Sequence, residues 1–374
     1  MSLQCDSLLL DATLVAIPLA RSEPLRARLS GRGPSTPHAL WVFAPTFLNL
    51  RLVFASGVVK LASGDPVWRE LRALDFHYWT QPLPGPLSHW VHQLPGWVDH
   101  ASCAGVFALE LVAPWLLLAP LALGGVRLRR VGVVALVSLQ LLIMATGNYG
   151  FFNLLSIVLC LPAVDDAWWQ AAFKRFGRSP PEPRGQVPPE RSTRFGARCI
   201  TAGAGLLILL NAVPLGATLF GWGLYPDSVR RAWSATRPLH IASSYGLFAR
   251  MTTTRTEPVF EGTRDGSTWE PYVFRYKPGD PSERPTQSAP HMPRLDWSVW
   301  FAALGSSSHL DVAEALRECL RDAEPDVLDL LRHDPFHGER PREVRMRSVR
   351  YEFTERSGPP YWRIEADPTG AHDE

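Results

Sequence analysis

What the chain lacks narrows its chemistry first. Among 374 residues there are five cysteines and no Cys-x-x-Cys pair, so a thioredoxin-like redox site has no support. Cys103, Cys160 and Cys199 fall in apolar runs, where cysteine behaves as a small hydrophobe, and Cys319 stands alone in the later part, so no disulfide forms within it. There is no Gly-x-Ser-x-Gly string, P-loop, dinucleotide fingerprint or His-Glu-x-x-His pair. No catalytic constellation is found, and no cofactor is implied. His77, His89, His92 and His100 match no zinc-ligand spacing, so a metal site is not expected. Net charge is only +2, which gives no reason to invoke nucleic acid. Lysine is nearly absent beside arginine, a skew that reads as a GC-rich genome rather than a function. The opening MSLQCDSLLLDATLVAIPLA lacks a basic n-region and carries Asp6 and Asp11, which argues against a cleaved signal peptide.

Long apolar runs are what the chain does have. Hydrophobic residues make up 46%, yet the mean hydropathy of −0.04 hides an asymmetry, because the apolar runs all lie before about residue 220. Six of them, roughly 7–20, 39–63, 101–123, 131–147, 149–163 and 199–220, are candidate membrane spans. A span needs about 20 apolar residues, so the first, fourth and fifth are short alone. The fourth and fifth are divided only by TGNYG, whose two glycines and asparagine suit a tight turn. A helical hairpin is the expected form, and one long bent helix is the alternative.

Charge orients these spans. Loop 21–38 carries Arg21, Arg26, Arg28 and Arg32; loop 124–130 carries Arg127, Arg129 and Arg130; loop 164–198 carries seven basic residues from Lys174 to Arg198. These connectors are expected in the cytoplasm, with 64–100 and everything after about 221 on the far side. Residues 178–195 are a proline-rich cytoplasmic linker. The 64–100 loop holds Pro82, Pro84, Pro86 and Pro95, which forbid a long helix through its centre. Its Trp68, Trp79, Trp90 and Trp97 suit an interfacial layer.

Three charges sit inside the apolar runs: Arg51, Lys60 and Glu110. Each costs about 2.5–3.5 kcal/mol at bilayer depth and faces a bundle interior, a wet cavity or a partner. Nine residues apart on one helix, Arg51 and Lys60 point to roughly opposite sides and serve different contacts. Glu110 pairs with one of them, or is protonated and hydrogen-bonded to a neighbouring helix. The alternative for Lys60 is snorkelling from the helix end.

After the last span, GWGLYPDSVRRAW reads as an interfacial collar, and the soluble part begins near Arg237. SYGLFARMTTT, EPVFEGT and TWEPYVFRY read as strands with a tight Asp265–Gly266 turn. LDWSVWFAAL and 309–321 have helical periodicity, and 325–333 reads as a short helix. Asp296 reads as a helix-start acid. VRMRSVRYEFT and YWRIEA are two late strands. The fold class is therefore a membrane protein: a multi-span α-helical bundle over 1–220, followed by an α+β soluble domain with an antiparallel sheet over 221–374.

One block, RLVFASGVVKLASGDPVWRELRALDFHYWTQPLPGPLSHWVHQLP, resembles the signature of the lipase maturation factor family. The resemblance continues through FALELVAPWLL, TGNYGFFNLLSIVLCLP, SYGLFARMTTTRTEPVFEGTRDGSTWEPYVFRYKPGD, APHMPRLDWSVWFAALG, PDVLDLLRHDPF and VRYEFT, and so covers most of the chain. It implies an integral membrane chaperone that helps secreted lipases fold and assemble, by binding rather than bond-making. It also implies a lumenal C-terminal domain, in the endoplasmic reticulum membrane of a eukaryote or the inner membrane of a bacterium. Family members have further membrane segments upstream, so the chain reads as a short form or one starting at an internal methionine. The implied partners are a secreted lipase or other folding client, and membrane lipid. A client site needs exposed apolar surface, and Trp68, Asp75, His77, Tyr78, Trp79, Trp297, Trp300 and Phe301 are its candidates, the alternative being that Trp297 and Trp300 are domain core. Two rival functions remain: a membrane enzyme using Lys60 as base, since FASGVVKL…DPVW also resembles a segment of vitamin K-dependent carboxylases, or a lipid-binding or transporting bundle.

Overall fold

The computed structural model describes residues 3–17, 39–119, 125–179, 194–355 and 358–366. Loop 21–38, most of the proline-rich linker and the AHDE tail lie outside the described residues.

The helical region begins with α1 (Gln4–Ala16) and α2 (Ala39–Ala62). Short helices α3 (Pro66–Arg69), α4 (Ala73–Thr80) and α5 (Ser88–His92) follow, and then α6 (Gly96–Leu111) and α7 (Ala113–Leu116). The series closes with α8 (Gly125–Thr146), α9 (Phe152–Cys160), α10 (Asp166–Arg175) and α11 (Arg194–Phe220). Among the described residues, three helical stretches are long and apolar enough to cross a membrane: Val42–Ala62, Gly125–Thr146 and Ala202–Phe220. A fourth is possible only if Phe152–Ala163 and Asp166–Arg175, bent by 115° at their break, count as one. Among the described residues, three or four of the six expected spans are therefore met by length and composition. Helix α1 has only 13 residues. The 101–123 run breaks at Val112, where Pro114 in the first turn of α7 denies the preceding helix a continuing N–H.

The hairpin is as the TGNYG turn predicts, and the single bent helix is not formed. Across it Asn153 Nδ2 donates to Gln140 Oε1 at 2.7 Å. Gly150 has φ +58, and a Cβ on Gly147 would collide with Gln81 Oε1, so both glycines are required by geometry.

Beyond α11 come α12 (Asp227–Thr236) and an irregular stretch through residue 254, not the strand read from SYGLFARM. Strands β1 (Arg255–Thr263), β2 (Trp269–Pro271), β5 (Glu343–Phe353) and β6 (Trp362–Ala366) make an antiparallel sheet in the order β2-β1-β5-β6. A separate pair joins β3 (Val273–Phe274) to β4 (Leu331–His333), so only Pro325–Leu328 of the expected 325–333 helix is helical. Between them lie α13 (Arg294–Ala303) and α14 (Ser307–Arg321).

Strand side chains alternate between faces, so each sheet face needs its own cover. Phe260 and Val344 pack with Val299, Ala302, Leu316, Leu320 and Phe336, which places α13 and α14 over one face. Val349, Tyr351 and Phe353 pack with Trp68, Leu74, Tyr78, Trp79 and Cys103, which places α4 and α6 over the other. The 64–100 segment is therefore a structural layer of the C-terminal sheet. A third core joins α1, α2, α8 and α9 and takes in Tyr245, Met292 and Trp297 from the C-terminal part.

Candidate functional site

Lys60 lies in the last turn of α2. Its Nζ donates to Glu110 Oε1 at 2.8 Å and Oε2 at 2.7 Å, and to the Ser56 carbonyl at 3.4 Å. The ammonium also lies 5.3 Å from the Trp68 ring centroid. Gly57 admits α6 to this distance, since a Cβ there would meet Leu111 Cδ2 at 2.8 Å and Glu110 Cβ at 3.0 Å. Lys60 is only 3% exposed, so it does not snorkel. An ammonium that donates to three acceptors is not disposed as a base with a free lone pair.

Arg51 is not part of that pair. Its Nη2 donates to Asp11 Oδ2 at 2.9 Å and its Nη1 to the Ser243 carbonyl, while its guanidinium stacks 4.7 Å over the Tyr245 ring. Tyr245 OH donates to the same Asp11 oxygen at 2.8 Å. The opposite pointing of Arg51 and Lys60 follows from their spacing, but the partner Asp11 was visible only as a mark against a signal peptide.

The eight residues expected to face a client are gathered at the interior instead. Trp68, Tyr78, Trp79, Trp297 and Trp300 are buried, and His77, Asp75 and Phe301 are half-buried. The sheet face needs apolar cover, and Trp68, Tyr78 and Trp79 supply it, whereas Trp297 and Phe301 pack in the core of the helices. Trp68 Nε1 donates to the Phe248 carbonyl at 2.9 Å and Trp79 Nε1 to the Asp75 carbonyl at 3.2 Å. Asp75 pairs with Arg72 at 3.1 Å. Trp297 packs on Tyr149 and Phe301, with Phe301 also against Trp300, so the core alternative holds for both tryptophans. His77 Nε2 lies 3.2 Å from Tyr149 OH, which donates to Gln81 Oε1 at 2.8 Å. Burial first, and the positive charge of Lys60 second, push the His77 imidazole down to about 4. The expected interfacial layer also divides: Trp68 and Trp79 are interior, whereas Trp90 and Trp97 are exposed.

Two further joints tie these layers: the sequence points to no partner for Arg255, and it reads Asn148 as a side chain that satisfies backbone ends near the hairpin turn. Arg255 on β1 caps the end of α4: its Nη1 donates to the Trp79 carbonyl at 2.9 Å and to that of Gln81, and its Nη2 to Pro82 at 2.9 Å. Arg255 also pairs with Glu257, which pairs in turn with Lys277 at 3.1 Å. Asn148, in the hairpin turn, donates to the Pro84 and Thr286 carbonyls at 3.1 and 2.8 Å and accepts from the Ser288 and Ala289 N–H groups at 2.8 and 3.1 Å. Asp296 likewise reaches beyond its own helix, with Oδ1 accepting from the Tyr276 and Lys277 N–H groups at 3.0 Å. For Arg255 the only sequence signal was a cation and carboxylate alternating on β1, where a covered strand should be apolar. Among the described residues no group of three or more His, Cys, Asp or Glu could hold a metal ion.

The assembled picture is a set of fasteners between membrane helices, the 64–100 layer and the sheet, and comparison with known proteins gives it a lineage. Residues 1–171 match the family model for the lipase maturation factor transmembrane domain, and residues 241–367 that for the lipase maturation factor C-terminal domain. Lipase maturation factor 2 of Xenopus laevis is 32% identical over 450 residues, covering 94% of this chain and 62% of the relative. Lipase maturation factor 1 of Homo sapiens is 32% identical over 348 residues, covering 89% of this chain and 59% of the relative. Lipase maturation factor 2 of Mus musculus is 30% identical over 466 residues, covering 96% of this chain and 64% of the relative. The chain thus spans about three fifths of the length of these curated relatives. No solved structure matches it. Two family models in the right order, and relatives that run nearly its whole length, make this chain an integral membrane protein that belongs to the lipase maturation factor family.

Proposed function

We propose that the chain assists the folding and assembly of secreted lipases at a membrane, by binding the client and not by bond-making. Its relatives are named as lipase maturation factors. The observation that carries the reading here is the continuous packing of the sheet on the 64–100 segment and of both on the helices, which fixes the C-terminal part to the helical region as a frame suited to presenting a surface to a client. The C-terminal part lies on the extracytoplasmic side. Supporting this, Arg127, Arg129 and Arg130 open α8, and Lys174, Arg175 and Arg178 follow α9, so both open ends of the hairpin are basic. The hairpin turn at the opposite end is bridged to Pro84 and to residues 286–289. The compartment is the endoplasmic reticulum in a eukaryote and the inner membrane in a bacterium.

With the predicted aromatics inside, client contact falls to Leu87, Trp90, Leu94 and Trp97, which are 50%, 39%, 45% and 71% exposed. Leu87 caps α5, Trp90 lies within it, Leu94 is in the bend that follows and Trp97 is in the first turn of α6, and such exposed apolar groups mark interaction surfaces. Arg51, Lys60 and Glu110 serve the function by fixing the frame. The test is co-expression with a secreted lipase, reading lipase activity per unit of secreted protein. The intact chain is expected to raise that specific activity, and a Trp90→Ser, Trp97→Ser variant to lose the gain while staying in the membrane fraction. Specific activity that is the same with and without the chain would sink the proposal.

A further inference from the structure

Where α11 ends, the chain doubles back through α12 and leaves a cavity of about 520 Å³ against α1. Ser7, Ser234, Ser243 and Ser244 line it with Arg237 and His240, beside the Trp233 ring, and no carboxylate is in the lining. The Arg237 guanidinium sits 5.7 Å over that ring and makes no ion pair among the described residues. His240, with Nδ1 3.5 Å from Ser7 Oγ, is held at φ +49, a left-handed conformation that costs a non-glycine residue about 1 kcal/mol or more. The floor is fixed from below: the Ser243 carbonyl accepts from buried Arg51, and the Ser243 N–H donates to Asp11 Oδ2 at 3.4 Å.

The Ser243 hydroxyl is buried, but those of Ser7, Ser234 and Ser244 with a guanidinium, and no acid among them, suit an anion with several acceptor oxygens, because charge-assisted donors bind phosphate oxygens best. We propose that this cavity binds a phosphate group, with Arg237 as the charged donor and the hydroxyls of Ser7, Ser234 and Ser244 and His240 completing the shell. Either a phospholipid headgroup or a soluble phosphate compound carries that chemistry. The headgroup has support nearby, since Phe220, Leu224 and Leu239 are exposed at 70%, 65% and 69% around the end of an apolar helix. The site stands apart from the client role and implies no lipid transport.

The test uses the full chain purified in detergent, in two arms. One titrates inorganic phosphate and follows the thermal midpoint; the other transfers the protein to phosphatidylcholine nanodiscs with and without phosphatidylglycerol and identifies retained lipid by native mass spectrometry. Arg237→Gln is expected to weaken binding by about tenfold, the loss of one charge-assisted contact. Arg231→Gln removes the same charge from α12 outside the cavity and is expected to change nothing. Arg237-dependent binding in the lipid arm supports a headgroup, and in the phosphate arm alone a soluble phosphate. Equal binding by wild type and Arg237→Gln in both arms overturns the site, and so does an equal loss in Arg231→Gln, which would reveal diffuse surface charge. His240→Asn, which tolerates the left-handed backbone, guards against misfolding and is expected to retain the thermal midpoint of the unliganded protein.

Discussion

Arg51 and Lys60 share one helix and one degree of burial, yet they are satisfied by different means. Lys60 meets both oxygens of one carboxylate, so its joint is a closed pair between α2 and α6. Arg51 divides its donors between a carboxylate on α1 and a backbone carbonyl 192 residues downstream, with an aromatic ring against its guanidinium. Beyond Glu110 the first joint has only weaker contacts, a long 3.4 Å bond to the Ser56 carbonyl of its own helix and the Trp68 ring at 5.3 Å. The second is a junction of three segments with redundant contacts. A buried pair adds little net stability over apolar residues of equal size, but removing one partner leaves a charge stranded. Redundancy therefore decides how much each substitution costs.

The largest effect is expected at the closed pair. Glu110→Leu strands the Lys60 ammonium and should cost about 3–5 kcal/mol, read as a fall in unfolding free energy in detergent. Lys60→Met added to it should recover most of that loss, and a double variant no better than the single would show the two are not coupled. Asp11→Asn is expected to cost less, about 1.5–3 kcal/mol, because Arg51 keeps the Ser243 carbonyl. An equal loss at Asp11 and Glu110 would erase the distinction. Tyr245→Phe removes only the phenol donor to Asp11 and should cost about 0.5–1.5 kcal/mol by the same measurement.

The smallest effect is a slope with pH. His77 is held at about 4 in the fold against 6.5 ordinarily, so as pH falls the unfolded chain takes up its proton first. Its contribution is complete above about 6.5 and is lost as pH drops through the folded value near 4. His77→Phe should flatten the stability profile between those limits, and an unchanged slope would assign it to other groups.

Short-range features were legible. The TGNYG turn needed two glycines, and the late strands and α13–α14 followed from residue period. The pairing of Glu110 with a cation in the preceding apolar run followed from the price of a lone intramembrane charge. The break in the 101–123 run did not, because hydropathy sees composition while Pro114 and the break at Val112 decide continuity. Nor did the fate of Trp68, Tyr78 and Trp79. An aromatic cluster reads the same whether it faces lipid, a partner or a strand 270 residues later, and only the sheet's need for cover settles it. Asp11 had no visible partner because Ser243 and Tyr245 belong to the other end of the chain.

That last junction has a consequence for how the protein is made. The ribosome delivers Asp11 and Arg51 long before Ser243 and Tyr245, and elongation at about 5–20 residues per second leaves the guanidinium half-satisfied for roughly ten seconds or more. Nascent chains arrested before residue 243 should therefore hold their first two helices loosely, and release past residue 245 should lock them.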